Sequence, residues 1–405
     1  MSNGIIKNRN FIFLWSGHLI SHAGDAIYSI ALPWLMLEMT GSKSLTALVS
    51  MSAYLPALIF GLFVGVIVDR YNRKSIMIFS DIMRFLLVSL VPIALIFDFA
   101  SPLLVGIITF FLAIFSTLFY PARDCLIPHI ANPKELPAAN SAIVISGQMS
   151  HMLGPLIAGI GMSIFGLTHL FTVDAITFLF SIIMISLIVI PVINQPYQKS
   201  ASKIESIKEG FRYIRREKHV GTLLFLTFIN NLFIMGPAII GLPVFVKEIL
   251  KEEFAVLAYL ETAMAGGMIL GSIIFWIAIK HFKPVPILLI GVIIDGLTFS
   301  LLYAVQSNYV AILVLLIHGI GIPLIIVART TLIQKTVPDK LQGRIFSMIY
   351  MSVMGTSAIS IGLTGMILEY FGSDSLFLII GLCAASCAWI GLISQNFISF
   401  GKKVN

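Results

Sequence analysis

Charged side chains are scarce in this chain of 405 residues: 11% are Asp, Glu, Lys or Arg, whereas 58% are hydrophobic. A soluble domain carries about 25% charged residues. The composition therefore excludes an ordinary soluble protein. It predicts an integral membrane protein with most of its mass in the lipid bilayer.

Cysteines and nucleotide-binding motifs are scarce as well. Cys125, Cys383 and Cys387 lie in or beside apolar segments without paired spacing, so neither a disulfide framework nor a thiolate metal site is predicted. No Gly-x-x-x-x-Gly-Lys-Ser/Thr phosphate loop occurs, and no connection is long enough for a nucleotide-binding domain. We therefore expect no enzymatic activity and no cofactor, and an ion gradient as the energy source of any transport.

Long apolar segments dominate the sequence. A helix needs about 20 mostly apolar residues to cross a bilayer. The first segment is longer than the roughly 7–15 residue core of a signal peptide, so no cleavable signal is predicted. Twelve such segments begin near Phe11, Ser44, Ser75, Ser101, Pro137, Thr168, Val220, Phe254, Val285, Tyr309, Leu341 and Asp374.

These segments predict an all-α membrane protein of twelve transmembrane helices in two pseudo-symmetric six-helix bundles. The predicted halves are residues 1–193 and 219–405, joined by a basic cytoplasmic linker at 194–218. Leu32-Pro33 corresponds to Leu242-Pro243 at an offset of about 210 residues. Parallel six-helix repeats of this kind are typical of carriers.

The basic residues predict the orientation, because lysine and arginine are enriched in cytoplasmic loops. Of the 26 lysines and arginines, 22 fall at the termini or in even-numbered turns. Arg123 and Arg329 are among these 22. Both termini are therefore predicted to be cytoplasmic, in a multi-pass protein of the cell membrane. The net charge of +7 is then an orientation signal, and no nucleic-acid partner is expected.

The linker contains one possible amphipathic helix. Ile204, Ile207, Phe211 and Ile214 recur at helical spacing among basic residues, which predicts a short helix on the inner leaflet. A disordered basic linker is the alternative.

Acidic residues inside the apolar segments are candidates for proton coupling. A charge at the centre of a spanning helix costs about 2.5–3.5 kcal/mol on insertion scales, so such residues are functional candidates. Asp25, Glu261 and Asp295 each lie within a predicted helix, without a base close in sequence. We predict proton coupling through Asp25 first, Glu261 second and Asp295 third.

Asp25 shares one helical face with His18, His22 and Ser29, at spacings of four, three and four. Three interpretations are open: a proton site, a metal site because His-x-x-x-His with a carboxylate resembles a ligand set, or a structural polar face. No other helix offers an obvious further ligand, so no metal is predicted.

Other residues within the helices have structural or cavity-lining interpretations. Asp81 and Arg84, at i and i+3, are predicted to pair with each other or with the nearby loop, and Asp174 is predicted to be structural. The candidates for lining a cavity are His22, Gln148, His151, Asn230, Asn231 and Met264.

A charged turn separates the second and third apolar segments. Its sequence, GVIVDRYNRK, supplies Gly65, Asp69, Arg70, Arg73 and Lys74. It is similar to the G-x-x-x-D-R-x-x-R-K signature of the major facilitator superfamily. A solvated loop on the positive inner side would explain the bases but not the Asp-Arg pair.

A second motif lies in the fifth segment, where Gly154, Pro155 and Gly159 resemble a degenerate form of the glycine-proline signature of the superfamily's antiporters. A proline-kinked packing helix is the alternative interpretation.

The resemblance extends over nearly the whole chain. The opening RNFIFLWSGHLISHAGDAIYSIALPWLMLEMTGS, the loop YPARDCLIPHIANPKELPAANS and the run EGFRYIRREK are similar to the drug:proton antiporter subfamily that includes macrolide-efflux proteins. The group of the enterobactin exporter is also similar.

This resemblance implies export of small, often amphipathic organic molecules in exchange for protons, by alternating access. It also implies that the Gly65–Lys74 motif latches the cytoplasmic side. We expect a functional monomer whose partners are its substrate, protons and the lipid bilayer. The alternatives are an exporter of a siderophore, peptide antibiotic or lysolipid, or a membrane sensor that does not transport.

Overall fold

The computed structural model describes residues 5–132, 135–189, 211–373 and 375–393. Helices joined by short turns make up these ranges, and no strand occurs in them. The helices are α1 Arg9–Thr40, α2 Lys43–Met51, α3 Leu55–Arg70, α4 Arg73–Ile96, α5 Pro102–Ile130, α6 Leu136–Phe165, α7 Leu167–Ser186, α8 Lys218–Leu250, α9 Phe254–Ala278, α10 Pro284–Leu301, α11 Asn308–Thr336, α12 Asp339–Phe371 and α13 Leu376–Ile393.

Polar residues in the turns set several of the helix starts. Side-chain oxygens of Asn8, Ser42, Asn72 and Ser101 each accept a hydrogen bond from the backbone N–H three residues later. These bonds satisfy donors that the first helical turn leaves free. Gly41 ends α1 with φ of 62°, a conformation that glycine adopts without steric cost.

Within the described residues, eleven helical segments are long and apolar enough to cross a membrane. α1 is not among the eleven, since His18, His22 and Asp25 make its middle more polar. The segment Lys43–Gly61, which corresponds to the second apolar segment predicted from the sequence, includes a turn at residues 52–54. The all-α membrane fold is confirmed, and the count of twelve transmembrane helices stays a prediction consistent with it.

The described helices form two compact units. The first unit contains α1–α7 and Phe254–Tyr259 at the start of α9, and the second contains the rest. In the first unit, α1 packs on α6 and α7, and α4 packs on α5 and α7. In the second, α8 packs on α12 and α13, and α10 packs on α11 and α13. The packing order of the first unit therefore recurs in the second.

Two basic residues lie elsewhere than the sequence indicated. Arg123 and Arg329 were expected in turns, but they lie inside α5 and α11, about two helical turns before the end of each. Both helices extend beyond the ends of the apolar segments in the sequence, so positions that were predicted to be turns are helical.

The predicted linker helix is described only in part. Ile204 and Ile207 lie outside the described residues, and residues 211–216 are helical. Phe211 is exposed, while Tyr213 and Ile214 pack against the core of the second unit.

Candidate functional site

Asp25 of α1 and Arg84 of α4 form the central contact of the first unit. Nη2 of Arg84 lies 2.6 Å from each carboxylate oxygen of Asp25. The hydroxyl of Tyr120, on α5, donates to Oδ2 of Asp25 at 3.1 Å. Charge-assisted hydrogen bonds of this kind are stronger than neutral ones, so one carboxylate joins three helices.

Arg84 also binds Asp81 on its own helix, with Nη1 donating to Oδ1 at 3.1 Å. The pairing predicted from the i, i+3 spacing is thus confirmed. The side chains of Arg84 and Asp81 are 1% and 0% exposed, whereas that of Asp25 is 29% exposed. Asp25 is therefore the member of this Asp25–Arg84–Asp81 cluster whose side chain has accessible surface.

The cluster contains one more carboxylate than cations. The rings of Phe119 and Phe178 lie 5.5 and 4.0 Å from the guanidinium carbon of Arg84, in the range of cation–π contacts. Oδ2 of Asp81 is buried without a hydrogen-bond partner in the described structure. With both carboxylates ionised the cluster carries one net negative charge, which uptake of a single proton neutralises.

A third carboxylate, Asp174 of α7, packs against α1 beside the cluster. Asp174 is buried, and its Oδ1 lies 3.4 Å from the hydroxyl of Thr177. A Cβ atom at Gly24 would collide with both side chains. Glycine immediately before Asp25 therefore allows the polar groups of α7 to reach the backbone of α1.

A row of histidine rings continues along α1 from Asp25. The ring of His22 lies 5.3 Å from that of His18 and 5.1 Å from that of His151 on α6. Nη1 of Arg123 lies 3.0 Å from Nε2 of His18. In the part of the chain that the structure describes, no group of three or more His, Cys, Asp or Glu is arranged to hold a metal ion.

Gly154 of the glycine-proline motif lies where α6 meets α1. Gly154, Pro155 and Gly159 are buried, and a Cβ at Gly154 would overlap the methyl group of Ala26. Small residues allow two helices to approach closely. A role of this motif in antiport stays a prediction.

The Gly65–Lys74 motif spans the end of α3 and the start of α4. Only the helical backbone is described for Gly65 and Asp69, so the latch assigned to Asp69 stays a prediction. Arg70 is exposed.

The two remaining bases of this motif bind neighbouring helices. Nη1 of Arg73 lies 3.2 Å from Nε2 of His129 on α5. Nζ of Lys74 donates to the carbonyl oxygens of Ser186 and Ile188, at 2.8 Å each. Lys74 thereby binds carbonyls at the C-terminal end of α7, where a cation is favoured.

The second unit has a buried polar cluster centred on Asp295 of α10. Asp295 and His318 are 2% and 1% exposed. Nε2 of His318, on α11, lies 3.4 Å from Oδ1 of Asp295, and Nδ2 of Asn230, on α8, donates to Oδ2 at 2.9 Å. Oγ1 of Thr298 lies 3.0 Å from Nδ1 of His318. The structure thus brings together two of the predicted residues, Asp295 and Asn230.

His318 was missed by the sequence reasoning. A histidine within an apolar helix is a signal that could have found it, because ionisable residues in such helices are rare and often functional.

Arg84 and Asp295 hold equivalent places in the repeat. Each is the twelfth residue of its helix, α4 from Arg73 and α10 from Pro284. The two helices pack against equivalent partners in their own units. The central polar residue is therefore a cation in the first unit and a carboxylate in the second.

The remaining predicted residues lie apart from these clusters. Glu261 is half-buried on α9, and no hydrogen bond or ion pair joins it to another described residue. The backbone of Met264 lies against Gly319, where a Cβ would overlap its carbonyl oxygen. Asn231 is half-buried, and the side chain of Gln148 lies outside the described residues.

Comparison with known proteins identifies the family. A family model, Major Facilitator Superfamily, matches residues 14–353 and, in an overlapping match, 242–396. Macrolide efflux protein A of Streptococcus pyogenes is 23% identical over 375 residues, 92% of each chain. The multidrug efflux pump Tap of Mycolicibacterium fortuitum is 25% identical over 357 residues, 86% of each chain.

The fold is also that of a solved transporter. The crystal structure of the nucleoside transporter NupG superposes with a TM-score of 0.79 at 12% identity, covering 96% of this chain and 99% of that one. The chain belongs to the Major Facilitator Superfamily, so the resemblance inferred from its motifs is confirmed. A transporter fold and transporter relatives favour transport over enzymatic activity.

Proposed function

We propose that this protein exports small amphipathic organic molecules across the cell membrane in exchange for protons, by alternating access. The support from similarity is that two relatives aligned over at least 86% of this chain are, by name, a macrolide efflux protein and a multidrug efflux pump. The proposal includes a functional monomer with both termini in the cytoplasm.

The observation that carries the proposal is the surplus carboxylate of the Asp25–Arg84–Asp81 cluster. An unbalanced charge among apolar side chains is costly, and one proton removes it. Asp25 is 29% exposed and Asp81 is fully buried. We therefore assign proton exchange to Asp25 on the ground of access alone, since Asp81 is the carboxylate whose charge is more costly.

Protonation of Asp25 also changes which helices are joined. When Asp25 is ionised, Arg84 binds both of its oxygens and so connects α4 to α1. When Asp25 is protonated, the ion pair left to Arg84 is with Asp81, on α4 itself. Weakening of the link between α4 and α1, from an ion pair to a hydrogen bond with a neutral carboxyl group, couples proton binding to helix movement, which alternating access requires.

The other predicted residues have secondary roles in this proposal. Glu261 and Asp295 rank after Asp25 for proton coupling. The Gly65–Lys74 motif acts as a cytoplasmic latch, and the residues predicted to line a cavity contact the substrate, except Asn230, which is buried against Asp295.

The test is drug export by purified protein in liposomes with an imposed proton gradient. Wild-type protein is expected to concentrate a macrolide or an amphipathic dye, and Asp25→Asn to let it only equilibrate. Asp98→Asn is the matched control: Asp98 is exposed with φ of 58°, a backbone conformation that asparagine tolerates. The Asp98→Asn variant should pump like wild type.

Export that persists after the proton gradient has collapsed, or normal pumping by Asp25→Asn, would contradict the mechanism. Running the same assay with a siderophore, a peptide antibiotic and a lysolipid distinguishes the alternative substrate classes.

A further inference from the structure

The polar cluster of the second unit is sealed from solvent more completely than Asp25. Asp295 and His318 are both almost fully buried, and Asn230 and Thr298 are buried around them. Buried polar groups are nearly always hydrogen-bonded. Two acceptors of this cluster are exceptions, because Oδ1 of Asn230 and Oδ1 of Asp295 are buried without a hydrogen-bond partner in the described structure.

Asp295 has one satisfied oxygen and one unsatisfied oxygen. Oδ2 accepts a hydrogen bond from Asn230. Oδ1 is buried without a hydrogen-bond partner in the described structure, and Nε2 of His318 lies 3.4 Å from it. A buried carboxylate oxygen without a donor is costly, and a proton on Nε2 supplies the attraction that Oδ1 lacks.

The other ring nitrogen of His318 faces a group that can either donate or accept. Oγ1 of Thr298 lies 3.0 Å from Nδ1 of His318 and 2.6 Å from the carbonyl oxygen of Ile294. When the hydroxyl donates to Ile294, as threonine commonly does within a helix, its oxygen can accept from a protonated Nδ1. When the hydroxyl turns, it donates to a bare Nδ1. One hydroxyl rotation therefore serves two protonation states.

We propose that Asp295, His318 and Thr298 form a proton-binding site inside the second unit. In the loaded state His318 is an imidazolium whose Nε2–H faces Asp295 and whose Nδ1–H donates to Thr298. Release of the Nδ1 proton leaves a neutral ring that keeps its Nε2–H, and Thr298 then donates to Nδ1. The pair is electrically neutral when loaded and carries one negative charge when empty.

The surroundings supply no further charge to balance Asp295 within the described residues. Asn230 reaches the site from α8, and the ring of Phe299 lies 4.5 Å from that of His318. α13 contributes an aromatic ring packed on Phe299. Among the described residues, no arginine, lysine or second carboxylate pairs with Asp295 or His318. A neutral pair is therefore preferred over a lone buried carboxylate.

This site lies on a different unit from Asp25. That it binds a proton is independent of the proposed function, whereas participation of this proton in substrate exchange rests on that function.

Protonation is read directly by NMR of protein whose histidines carry a nitrogen isotope label. The pair of ring-nitrogen resonances that disappears in His318→Gln belongs to His318. Wild-type His318 is expected to be doubly protonated and to lose its Nδ1 proton as pH rises. Asp295→Asn should abolish the doubly protonated form, because the imidazolium then has no counter-charge.

Thr298→Val and Thr298→Ser form a matched pair. Valine removes the hydroxyl at nearly constant volume, whereas serine keeps it. Hydrogen bonds to charged groups are stronger than those between neutral groups. Valine should therefore weaken the loaded state more than the empty state. The expected result is a loss of proton affinity of about tenfold. Serine should titrate like wild type.

A His318 that stays singly protonated at Nε2 over the whole pH range in which the protein is folded would overturn the site. So would Thr298→Val titrating like wild type. Wild-type liposomes that export drug without moving protons would instead refute the proton exchange proposed above, and the NMR result would still decide whether this site exists.

Discussion

Removal of Arg84 tests the electrostatics of the first unit most directly. Arg84→Gln leaves Asp25 and Asp81 with no guanidinium between them. Breaking a buried ion pair by deleting one partner destabilises a protein by about 3–5 kcal/mol, because the other charge stays buried and unpaired. Here two carboxylates lose their partner at once, so we expect the upper part of this range or failure to fold.

The structure also predicts which second substitution rescues stability. Asp81 is fully buried, and its Oδ2 has no hydrogen-bond partner in the described structure. Asp25 keeps the hydroxyl of Tyr120 and is partly exposed. Neutralising Asp81 therefore removes the more costly charge. Arg84→Gln with Asp81→Asn should recover more stability than Arg84→Gln with Asp25→Asn, and the triple variant should recover most.

The assay is thermal unfolding in detergent, followed by the monodisperse fraction on size-exclusion chromatography. Wild-type protein and Asp98→Asn serve as references. Arg84→Gln that melts like wild type would refute the buried charge cluster. Greater rescue by Asp25→Asn than by Asp81→Asn would refute the assignment of Asp81 as the costlier charge.

Helix packing, topology and the loop motif provide three further tests. A Cβ at Gly267 would overlap a carbonyl oxygen of α11, whereas at Gly266 the nearest atom would be 3.7 Å away; Gly267→Ala should lower thermal stability by about 1–3 kcal/mol, and equal melting of the two alanine variants would contradict this. In a cysteine-free background, a cysteine at Ser307 should react with an impermeant reagent added outside and one at Lys203 should not; the reverse pattern would invert the topology. Asp69→Asn should reduce transport without reducing the amount of protein in the membrane, and unchanged transport would exclude the latch.

Composition and segment length were sufficient to predict the fold class. The bilayer requires about 20 apolar residues per spanning helix, and a chain with 11% charged residues has few alternatives to a helical bundle. Helical periodicity also placed His18, His22 and Asp25 on one face of α1. The i, i+3 spacing of Asp81 and Arg84 predicted their pair.

The contacts between helices could not be predicted in this way. Arg84 and Asp25 are 59 residues apart in sequence, and Tyr120 and Asp25 are 95 apart. Periodicity indicates which side chains share a face but not which helices pack together. For the same reason the sequence predicted Asp295 and Asn230 separately and missed His318, which the packing of α11 brings to Asp295.

The opposite charges of Arg84 and Asp295 limit how the two halves can be recombined. A chain assembled from two copies of the first unit would contain two clusters with a surplus carboxylate. Two copies of the second unit would contain no guanidinium at either central position. The two units thus share the backbone location of their central polar residue but not its chemistry. The halves are therefore not interchangeable, and a functional chimaera would need compensating substitutions at both positions.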